Sequence, residues 1–289
     1  MTAALRPLLR GAVARLTAAG VPSPDHDAAE LLAHVLGTSR FELSALGPVR
    51  EEARREFSDL VSRRARREPL QHLTGTAAFR YVELAVGPGV FTPRPETELL
   101  AGWGVDRARG MVESGQLPVV VDLCTGSGAI ALALATEVPE AQVHAVELSE
   151  DALVWADRNL AGSGIDLRHG DMATAFPDLD GTVDVVLCNP PYIPLEAYES
   201  VAPEARDHDP HLALFSGDDG LVAMRVLEGV AARLLRPGGV VGAEHADLQG
   251  DSAPGVFRSA ERWVERWVDV IDHRDLAGRA RYLTARLAR

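Results

Sequence analysis

An asparagine, two prolines and a tyrosine form the stretch of this chain whose chemistry is easiest to infer, Asn189-Pro190-Pro191-Tyr192. A side-chain amide oxygen and a backbone carbonyl accept hydrogen bonds, and an aromatic ring offers a face for stacking. A planar NH2 group fits such a set because it donates two hydrogen bonds and lies flat. The stretch predicts a site at which Asn189, the Pro190 carbonyl and Tyr192 contact a reacting nitrogen. The alternative is a rigid loop opener that binds nothing.

The residues before this stretch indicate where it lies. Residues 185–188 are apolar and predict a buried parallel strand. Two consecutive prolines cannot continue a central strand, because they lack a ladder donor and fix φ. The stretch therefore lies at the carboxyl end of a strand, where ligands bind in open α/β sheets. The prolines, Pro191 included, keep the turn stiff.

A second motif lies upstream, where a strand over 119–123 is followed by Cys124-Thr125-Gly126-Ser127-Gly128 and a helix from Ala129. Glycines let a backbone approach a ligand closely, because no Cβ intervenes. The dinucleotide fingerprint is incomplete, since Ala131 occupies its last glycine position. The turn alone does not identify a ligand.

Two carboxylates follow this turn at the ends of predicted strands. Glu147 ends a strand over 143–147 and can accept hydrogen bonds from both hydroxyls of a ribose. Asp171 closes a strand near 167–170 and could accept from an adenine amino group. Together with the glycine turn, they predict an adenosine-containing ligand.

The order of these motifs resembles the class I S-adenosylmethionine-dependent methyltransferases that modify exocyclic or amide nitrogen. Three further segments narrow the resemblance to the HemK-like protein-glutamine methyltransferases, and it then covers nearly the whole chain. The segments are Thr92-Pro93-Arg94-Pro95-Glu96-Thr97-Glu98, Glu68-Pro69-Leu70-Gln71-His72-Leu73-Thr74-Gly75 and Ala213-Leu214-Phe215-Ser216-Gly217-Asp218-Asp219-Gly220-Leu221.

The resemblance implies S-adenosyl-L-methionine as cofactor, S-adenosyl-L-homocysteine as product, and no metal. It implies that the methyl group goes to the side-chain nitrogen (N5) of the glutamine in the GGQ loop of peptide chain release factors, which would modulate translation termination. It also implies that Arg94 binds the substrate together with Asn189-Pro190-Pro191-Tyr192, which we call the acceptor loop. The cofactor contacts that it implies are Phe91, Pro93, Asp122, Cys124, Thr125, Gly126, Ser127, Gly128, Glu147, Asp171, Met172 and Asn189.

Three other functions fit some of these motifs. A ribosomal-protein glutamine methyltransferase shares the catalytic motifs, and the N-terminal region, which looks like the release-factor group, weighs against it. An adenine-N6 or guanine-N2 nucleic-acid methyltransferase also uses Asn-Pro-Pro-Tyr. A non-enzymatic binding module would require both motifs to be vestigial.

The charge distribution argues against direct nucleic-acid binding. The chain has a net charge of −13, with 11 arginines against 9 acids in residues 1–72 and 18 against 33 in the remainder. A nucleic-acid enzyme would normally present a basic face. A protein substrate is the better expectation for the acidic half. All basic residues apart from histidines are arginines, which excludes Schiff-base chemistry on a lysine.

Other features bear on location and on metals. There is no apolar run long enough to span a membrane and no signal-peptide cleavage pattern, so a cytoplasmic protein is predicted. Cys124 and Cys188 are expected to be buried and reduced. The sequence shows no spacing typical of a zinc site.

Along the chain, we predict a helical substrate-recognition domain over 1–72, a connector with short strands over 73–98, and a methyltransferase domain over 99–289. The fold class is α/β, with a Rossmann-like, mostly parallel sheet and an antiparallel hairpin at its C-terminal edge. Arg63, Arg64, Arg66 and Arg67 form a basic cluster that indicates either a solvated helix end or contact with an acidic partner. Glu244-His245 could be an acid/base pair, although a packed strand end is the favoured interpretation.

Overall fold

The structure, a computed structural model, describes residues 5–45, 48–258 and 266–288. Its backbone divides into two compact units. One comprises Met1–Thr76 with Ala202–His208, and the other comprises Ala77–Val201 with Asp209–Arg289. Within the described ranges, no helix is both long enough and apolar enough to cross a membrane.

The helices of the described residues belong to both units, and in the second unit they alternate with strands. In chain order they are α1 (Leu5–Ala18), α2 (Pro24–Leu36), α3 (Glu51–Ala65), α4 (Leu70–Thr74), α5 (Thr97–Glu113), α6 (Ala129–Glu137), α7 (Glu150–Leu160), α8 (Pro203–His208), α9 (His211–Leu214), α10 (Val222–Leu234) and α11 (Ser252–Arg258). Short 3-10 turns lie at Glu42–Ala45, Pro177–Leu179, Leu195–Ser200 and Asp247–Gln249.

The strands form a hairpin and one large sheet. They are β1 (Thr76–Phe79), β2 (Val82–Ala85), β3 (Val119–Leu123), β4 (Gln142–Glu147), β5 (Asp166–His169), β6 (Val183–Cys188), β7 (Leu235–Glu244), β8 (Trp267–Arg274) and β9 (Ala280–Leu287). The sheet has the order β5-β4-β3-β6-β7-β9-β8. Strands β3 to β7 run parallel, whereas β9 and β8 are antiparallel. The predicted fold class is confirmed.

The sheet is buried by helices on both faces. Leu100 of α5 and Leu134 of α6 pack in one apolar cluster with Leu187 of β6. Leu227 of α10 packs in the other with Val121. Strands covered on both faces are largely apolar. All residues of β6 are buried, and its one charged residue, Asp184, accepts a hydrogen bond from the Val119 N–H.

Strand β7 differs from its prediction. The sequence predicted a helix end and a turn over 235–239 before a strand over 240–244, but the strand begins at Leu235. Leu235 pairs with Val183 before the register shifts. Gly238 has a φ of +84°, so the predicted turn is accommodated inside the strand.

The helical unit buries an apolar stripe from each of its long helices, including Leu16 of α1, Leu31 and Leu32 of α2, and Phe57 of α3. Gly37 caps the C-terminal end of helix α2 and is left-handed at φ 61°. Ser23 occupies the N-cap position, although its side chain makes no capping hydrogen bond. Pro24, with its fixed φ, begins the helix.

Acids of the helical unit hold most of the basic cluster. Arg64 bonds Asp27 at 2.7 Å and Glu204 of α8 at 2.9 Å, and Arg67 bonds both oxygens of Glu204 at 2.6 Å. Arg63 pairs with Glu68. Burial opposes ionisation of Glu204, but hydrogen bonds from Arg67 and Arg64 lower its pKa to about 2. These arginines therefore fasten α8 to the unit.

Candidate active site

A cavity of about 460 Å³ lies at the carboxyl ends of the parallel strands, within the second unit. Its wall includes the glycine turn after β3, Glu147 at the end of β4, Asp171 after β5 and Asn189 after β6. The predicted acceptor loop and the predicted cofactor turn therefore face one space. The size is typical of sites for small ligands.

The glycine turn is fixed by local hydrogen bonds. The Thr125 hydroxyl donates to Asp122 Oδ2 at 2.6 Å, and the Ala131 N–H donates to the same oxygen at 3.2 Å. Cys124 precedes Thr125 with a φ of +60°, a conformation that glycine adopts at lower cost. The turn thus has a reproducible shape before any ligand binds.

Asp122 supports this turn from beneath and does not line the cavity. Its carboxyl is fully buried, and Oδ1 has no hydrogen-bond partner among the described residues. Burial raises its pKa to about 7, against the opposing effect of the bonds from Thr125 and Ala131. Asp122 was predicted to contact the cofactor, and the structure gives it this supporting position instead.

Glu147 is held in place by the backbone. Its Oε2 accepts from the Gly126 N–H at 2.8 Å, and its Oε1 accepts from the Ser149 N–H at 2.8 Å. Each carboxylate oxygen can accept more than one hydrogen bond, so both keep capacity for a ligand. The side chain lines the cavity in a fixed rotamer, which suits the recognition of a diol.

Asp171 and Met172 also line the cavity. Asp171 Oδ1 accepts from the Ala173 N–H at 2.8 Å. The Met172 sulfur lies 3.6 Å from the sulfur of Cys124. Cys188 is buried as predicted, but Cys124 is only partly buried, because its turn directs it to the cavity.

The amide of Asn189 is oriented by the first residue of α5. Asn189 Nδ2 donates to Thr97 Oγ1 at 3.3 Å. In this orientation the amide oxygen is the group left to accept from a ligand. Thr97 is 4 % exposed and also lines the cavity.

Tyr192 is held at both its hydroxyl and its backbone. The hydroxyl donates to Glu244 Oε1 at 3.1 Å, and the carbonyl accepts from Gln249 Nε2 at 3.0 Å. The Tyr192 and Ile193 N–H groups both donate to the Leu214 carbonyl. Burial, followed by the charge of Glu244, raises the pKa of Tyr192 well above its ordinary value. The ring therefore remains a neutral phenol at one place in the wall.

Most of the predicted site residues line the cavity. These are Phe91, Pro93, Cys124, Thr125, Gly126, Ser127, Glu147, Asp171, Met172, Asn189, Pro191 and Tyr192. The remaining four, Asp122, Gly128, Pro190 and Arg94, do not contribute to its wall.

The other three residues outside the wall have different positions. Gly128 lies where an added Cβ would come 2.8 Å from Leu160. Pro190 is buried. Arg94 bonds Asp209 Oδ2 at 2.6 Å, and its guanidinium lies 4.9 Å from the centre of the Phe91 ring. Arg94 thus reaches the cavity only through Phe91.

Sequence reasoning missed three residues that hold the acceptor loop: Thr97, Glu244 and Gln249. Thr97 belongs to the Pro-Arg-Pro-Glu-Thr-Glu segment that carried the family resemblance, but nothing in the sequence indicated that its hydroxyl bonds Asn189. Glu244 was weighed as an acid/base group and set aside. The structure shows a buried strand end, as favoured, whose carboxylate nevertheless bonds the site tyrosine.

The residues of this cavity fit S-adenosylmethionine. Glu147 presents a fixed carboxylate for ribose hydroxyls, and the wall beside it includes the apolar side chains of Ile130, Leu148 and Met172 for an adenine ring. Among the described residues, no cluster of three or more His, Cys, Asp or Glu side chains could hold a metal ion.

Family models and curated relatives both identify this chain as similar to methyltransferases. Residues 7–75 match the PrmC N-terminal domain, and residues 120–208 match a methyltransferase domain family. The release factor glutamine methyltransferase of Streptomyces coelicolor is 61 % identical over 96 % of each chain, and that of Mycolicibacterium smegmatis is 46 % identical over 99 % of each. A 4-amino-L-phenylalanine/4-methylamino-L-phenylalanine methyltransferase of Streptomyces pristinaespiralis is 43 % identical over 91 % of each.

The solved catalytic domain of hMettl16 has the same fold. It aligns with a TM-score of 0.54 at 15 % identity, over 80 % of this chain and 82 % of its own. At such identity the likeness concerns the fold alone. The relatives at 46 % and 61 % identity, matched almost from end to end, decide the family: this chain belongs to the release factor glutamine methyltransferases.

Proposed function

We propose that the protein transfers a methyl group from S-adenosyl-L-methionine to the side-chain amide nitrogen of a glutamine in a peptide chain release factor. One observation supports this proposal independently of the family membership. A single cavity joins a cofactor turn with a fixed carboxylate to an acceptor loop whose free group is an amide oxygen. An amide NH2 fits that acceptor.

When bound, S-adenosylmethionine supplies an electrophilic methyl group and so most of the chemical driving force. The amide nitrogen of glutamine is a weak nucleophile, because its lone pair is delocalised into the carbonyl. Asn189 Oδ1 lines the cavity and accepts one of the N–H hydrogens, which draws electron density onto nitrogen, whereas Pro190 lies outside the wall and serves to stiffen the loop. The Tyr192 ring packs on the amide plane and fixes its direction.

The orientation of the nucleophile is the main contribution of the chain. Glu147, Thr125 and Gly126 bind the cofactor on one side of the cavity, and Asn189 and Tyr192 bind the amide on another. Alignment of two reactants in one pocket can supply several kcal/mol of the barrier reduction, roughly 7 or more in favourable cases. The surplus proton leaves to solvent after transfer.

A labelling experiment tests the substrate. The purified protein is incubated with methyl-labelled cofactor and, separately, with a release factor, a ribosomal protein, DNA, and 4-amino-L-phenylalanine. We expect label on the release factor, at a glutamine of the GGQ loop. Fragmentation of the labelled protein by mass spectrometry identifies the residue.

A release factor with that glutamine replaced by glutamate is the matched control. It lacks the NH2 group and should take up no label. Equal labelling of the glutamate variant would show that another atom is methylated. Label on 4-amino-L-phenylalanine and none on the factor would assign the aniline amine as substrate.

We further propose that the helical unit docks the release factor, and that the cytoplasm is where they meet. Phe41 is 80 % exposed in this unit, beneath the guanidinium of Arg40 at 4.8 Å. Phe41→Ser should raise KM for the intact factor several-fold and leave KM for a short glutamine-loop peptide unchanged. Leu117→Ser, at a 66 % exposed site of the other unit, is the control. A Phe41 variant with unchanged KM on intact factor contradicts docking there.

A further inference from the structure

Glu244 is a buried carboxylate at the carboxyl end of β7 that the mechanism above does not use. It is 1 % exposed and does not line the cavity, so it cannot touch a ligand there. Its Oε1 accepts from the Tyr192 hydroxyl, and its Oε2 has no hydrogen bond of ordinary geometry among the described residues. A buried carboxylate without full pairing is costly and calls for a reason.

The neighbouring hydroxyl of Thr97 provides one. Thr97 Oγ1 accepts from Asn189 Nδ2, so its own proton must point elsewhere. The Thr97 hydroxyl lies beside the Glu244 carboxylate, and together with the Tyr192 hydroxyl it opposes the rise that burial causes in the pKa of Glu244. A carboxylate only accepts, so it directs the Thr97 proton toward itself and leaves the threonine oxygen free for Asn189.

We propose that Glu244 is a positioning residue, which acts through Thr97 to keep the amide oxygen of Asn189 facing the cavity and through Tyr192 to fix the ring. Without an acceptor at Glu244, the Thr97 proton can turn to Asn189. The amide would then rotate and present its NH2 to the incoming NH2, donor against donor. This inference rests on the proposed function, since it assumes that Asn189 accepts from the substrate.

The backbone of the same loop is supported in a matching way. Gln249 donates to the Tyr192 carbonyl and accepts from the Ala246 N–H at 3.0 Å. Gly220 packs so closely that a Cβ there would lie 2.3 Å from the Tyr192 carbonyl oxygen. Gly220 and Gln249 thus pack against the Tyr192 carbonyl, whereas the orientation of the Asn189 amide depends on Thr97.

The test compares variants that differ in one hydrogen-bond function. Thr97→Ser keeps the hydroxyl, whereas Thr97→Val keeps the shape and removes it. Glu244→Gln keeps the shape and places an NH2 donor in the relay. We expect Thr97→Ser to retain kcat within about twofold, and Thr97→Val and Glu244→Gln to lose about tenfold or more, as for loss of one or two hydrogen bonds.

Three readouts separate positioning from stability. The Kd for the cofactor, from calorimetry, and the Tm should stay near the wild-type values in Glu244→Gln, while kcat falls. The loss in the double variant Thr97→Val/Glu244→Gln should be clearly smaller than the product of the two single losses, because the part of the Glu244 effect that passes through Thr97 is already lost and only the part through Tyr192 remains. Loss of kcat in Thr97→Ser equal to that in Thr97→Val would overturn the relay.

The remaining outcomes are also decisive. Full kcat in both Thr97→Val and Glu244→Gln contradicts the positioning role, as does a fall in kcat that only follows a fall in folded protein. If wild-type protein labels no glutamine in the release factor, the proposed function fails before the relay is tested. The two failures are thus distinguishable.

Discussion

The glycine turn after β3 and the acceptor loop after β6 lie at the ends of paired parallel strands, yet they are held by different means. Leu123 and Cys188, the last residues of the two strands, are register partners. The turn is fixed by bonds to Asp122 and Glu147, whose partners lie 3 to 21 residues away in sequence. The loop is fixed by Thr97, Glu244 and Gln249, at separations of 92, 52 and 57 residues.

This difference follows from what each region must do. A turn that binds a common cofactor can be built from two adjacent strands and the helix between them. Backbone N–H groups of the turn and a carboxylate at the end of the second strand suffice. A loop that aims a weak nucleophile needs side chains fixed in rotamer as well as place. Supports from other strands and helices provide that rigidity, so damage to the loop should affect kcat and damage to the turn should affect cofactor affinity.

The sharpest test of this contrast is Asn189→Ala. Its bond to the substrate strengthens as the nitrogen becomes positive, so its loss should lower kcat by about 10²–10³-fold. Asn189→Asp keeps an acceptor and should retain more activity than the alanine variant. Steady-state kinetics and cofactor calorimetry measure both quantities. A large loss of cofactor affinity with unchanged kcat would reverse the assignment of the loop.

On the turn, Asp122→Asn should change the pH dependence of stability. The pKa of Asp122 is raised from 3.8 to about 7 in the folded chain, so the native state retains a proton that the unfolded chain has lost. The stability that this provides is complete below about pH 4 and is lost as the pH rises from there through 7, on the order of 4 kcal/mol. Asparagine does not titrate. Thermal unfolding from pH 4 to 8 should therefore show the wild type losing Tm relative to the variant, and a constant difference would contradict the pKa shift.

Glu147→Ala should weaken cofactor binding by about 1.5–3 kcal/mol, through loss of charge-assisted hydrogen bonds to the ribose. The turn also loses the acceptor for the Gly126 N–H. Calorimetry measures the affinity, and kcat at saturating cofactor should change little. Unchanged affinity would remove Glu147 from the cofactor site.

Gly128→Ala should have the smallest effect, a loss of about 1–2 kcal/mol of stability. Gly128 has a φ of +86°, and the new Cβ would also crowd Leu160 at 2.8 Å. Gly110→Ala, an exposed helical site with no atom within 4 Å of the Cβ, is the control and should be neutral or stabilising. Urea unfolding measures both. Equal stability of the two variants would mean that the turn does not depend on its glycine.

The placement of one further segment also depends on partners that are distant in sequence. The segment Ala202–His208 belongs to the helical unit, although it lies within the range predicted for the methyltransferase domain. Glu204 is held there by Arg64 and Arg67, which are about 140 residues earlier in the chain. A short polar helix carries no sequence signal for so distant a partner.

The sequence alone determined the features that depend on neighbours along the chain. Apolar runs predicted the parallel strands, prolines and glycines predicted where they end, and motif order predicted which ends share a ligand. Since carboxyl ends of parallel strands meet at one edge, Glu147, Asp171 and Asn189 could be placed together without coordinates. In the structure all three line one cavity.

Only the tertiary structure decided which atoms of those residues are free. The family resemblance implied Asp122 as a cofactor contact, but its carboxyl is buried beneath the turn. Asn189 could have offered either end of its amide, and Thr97 fixes the choice. Tyr192 acquires its place from Glu244 on a separate strand. Hydrogen-bond direction depends on every group that surrounds a side chain, and that environment exists only once distant segments have packed.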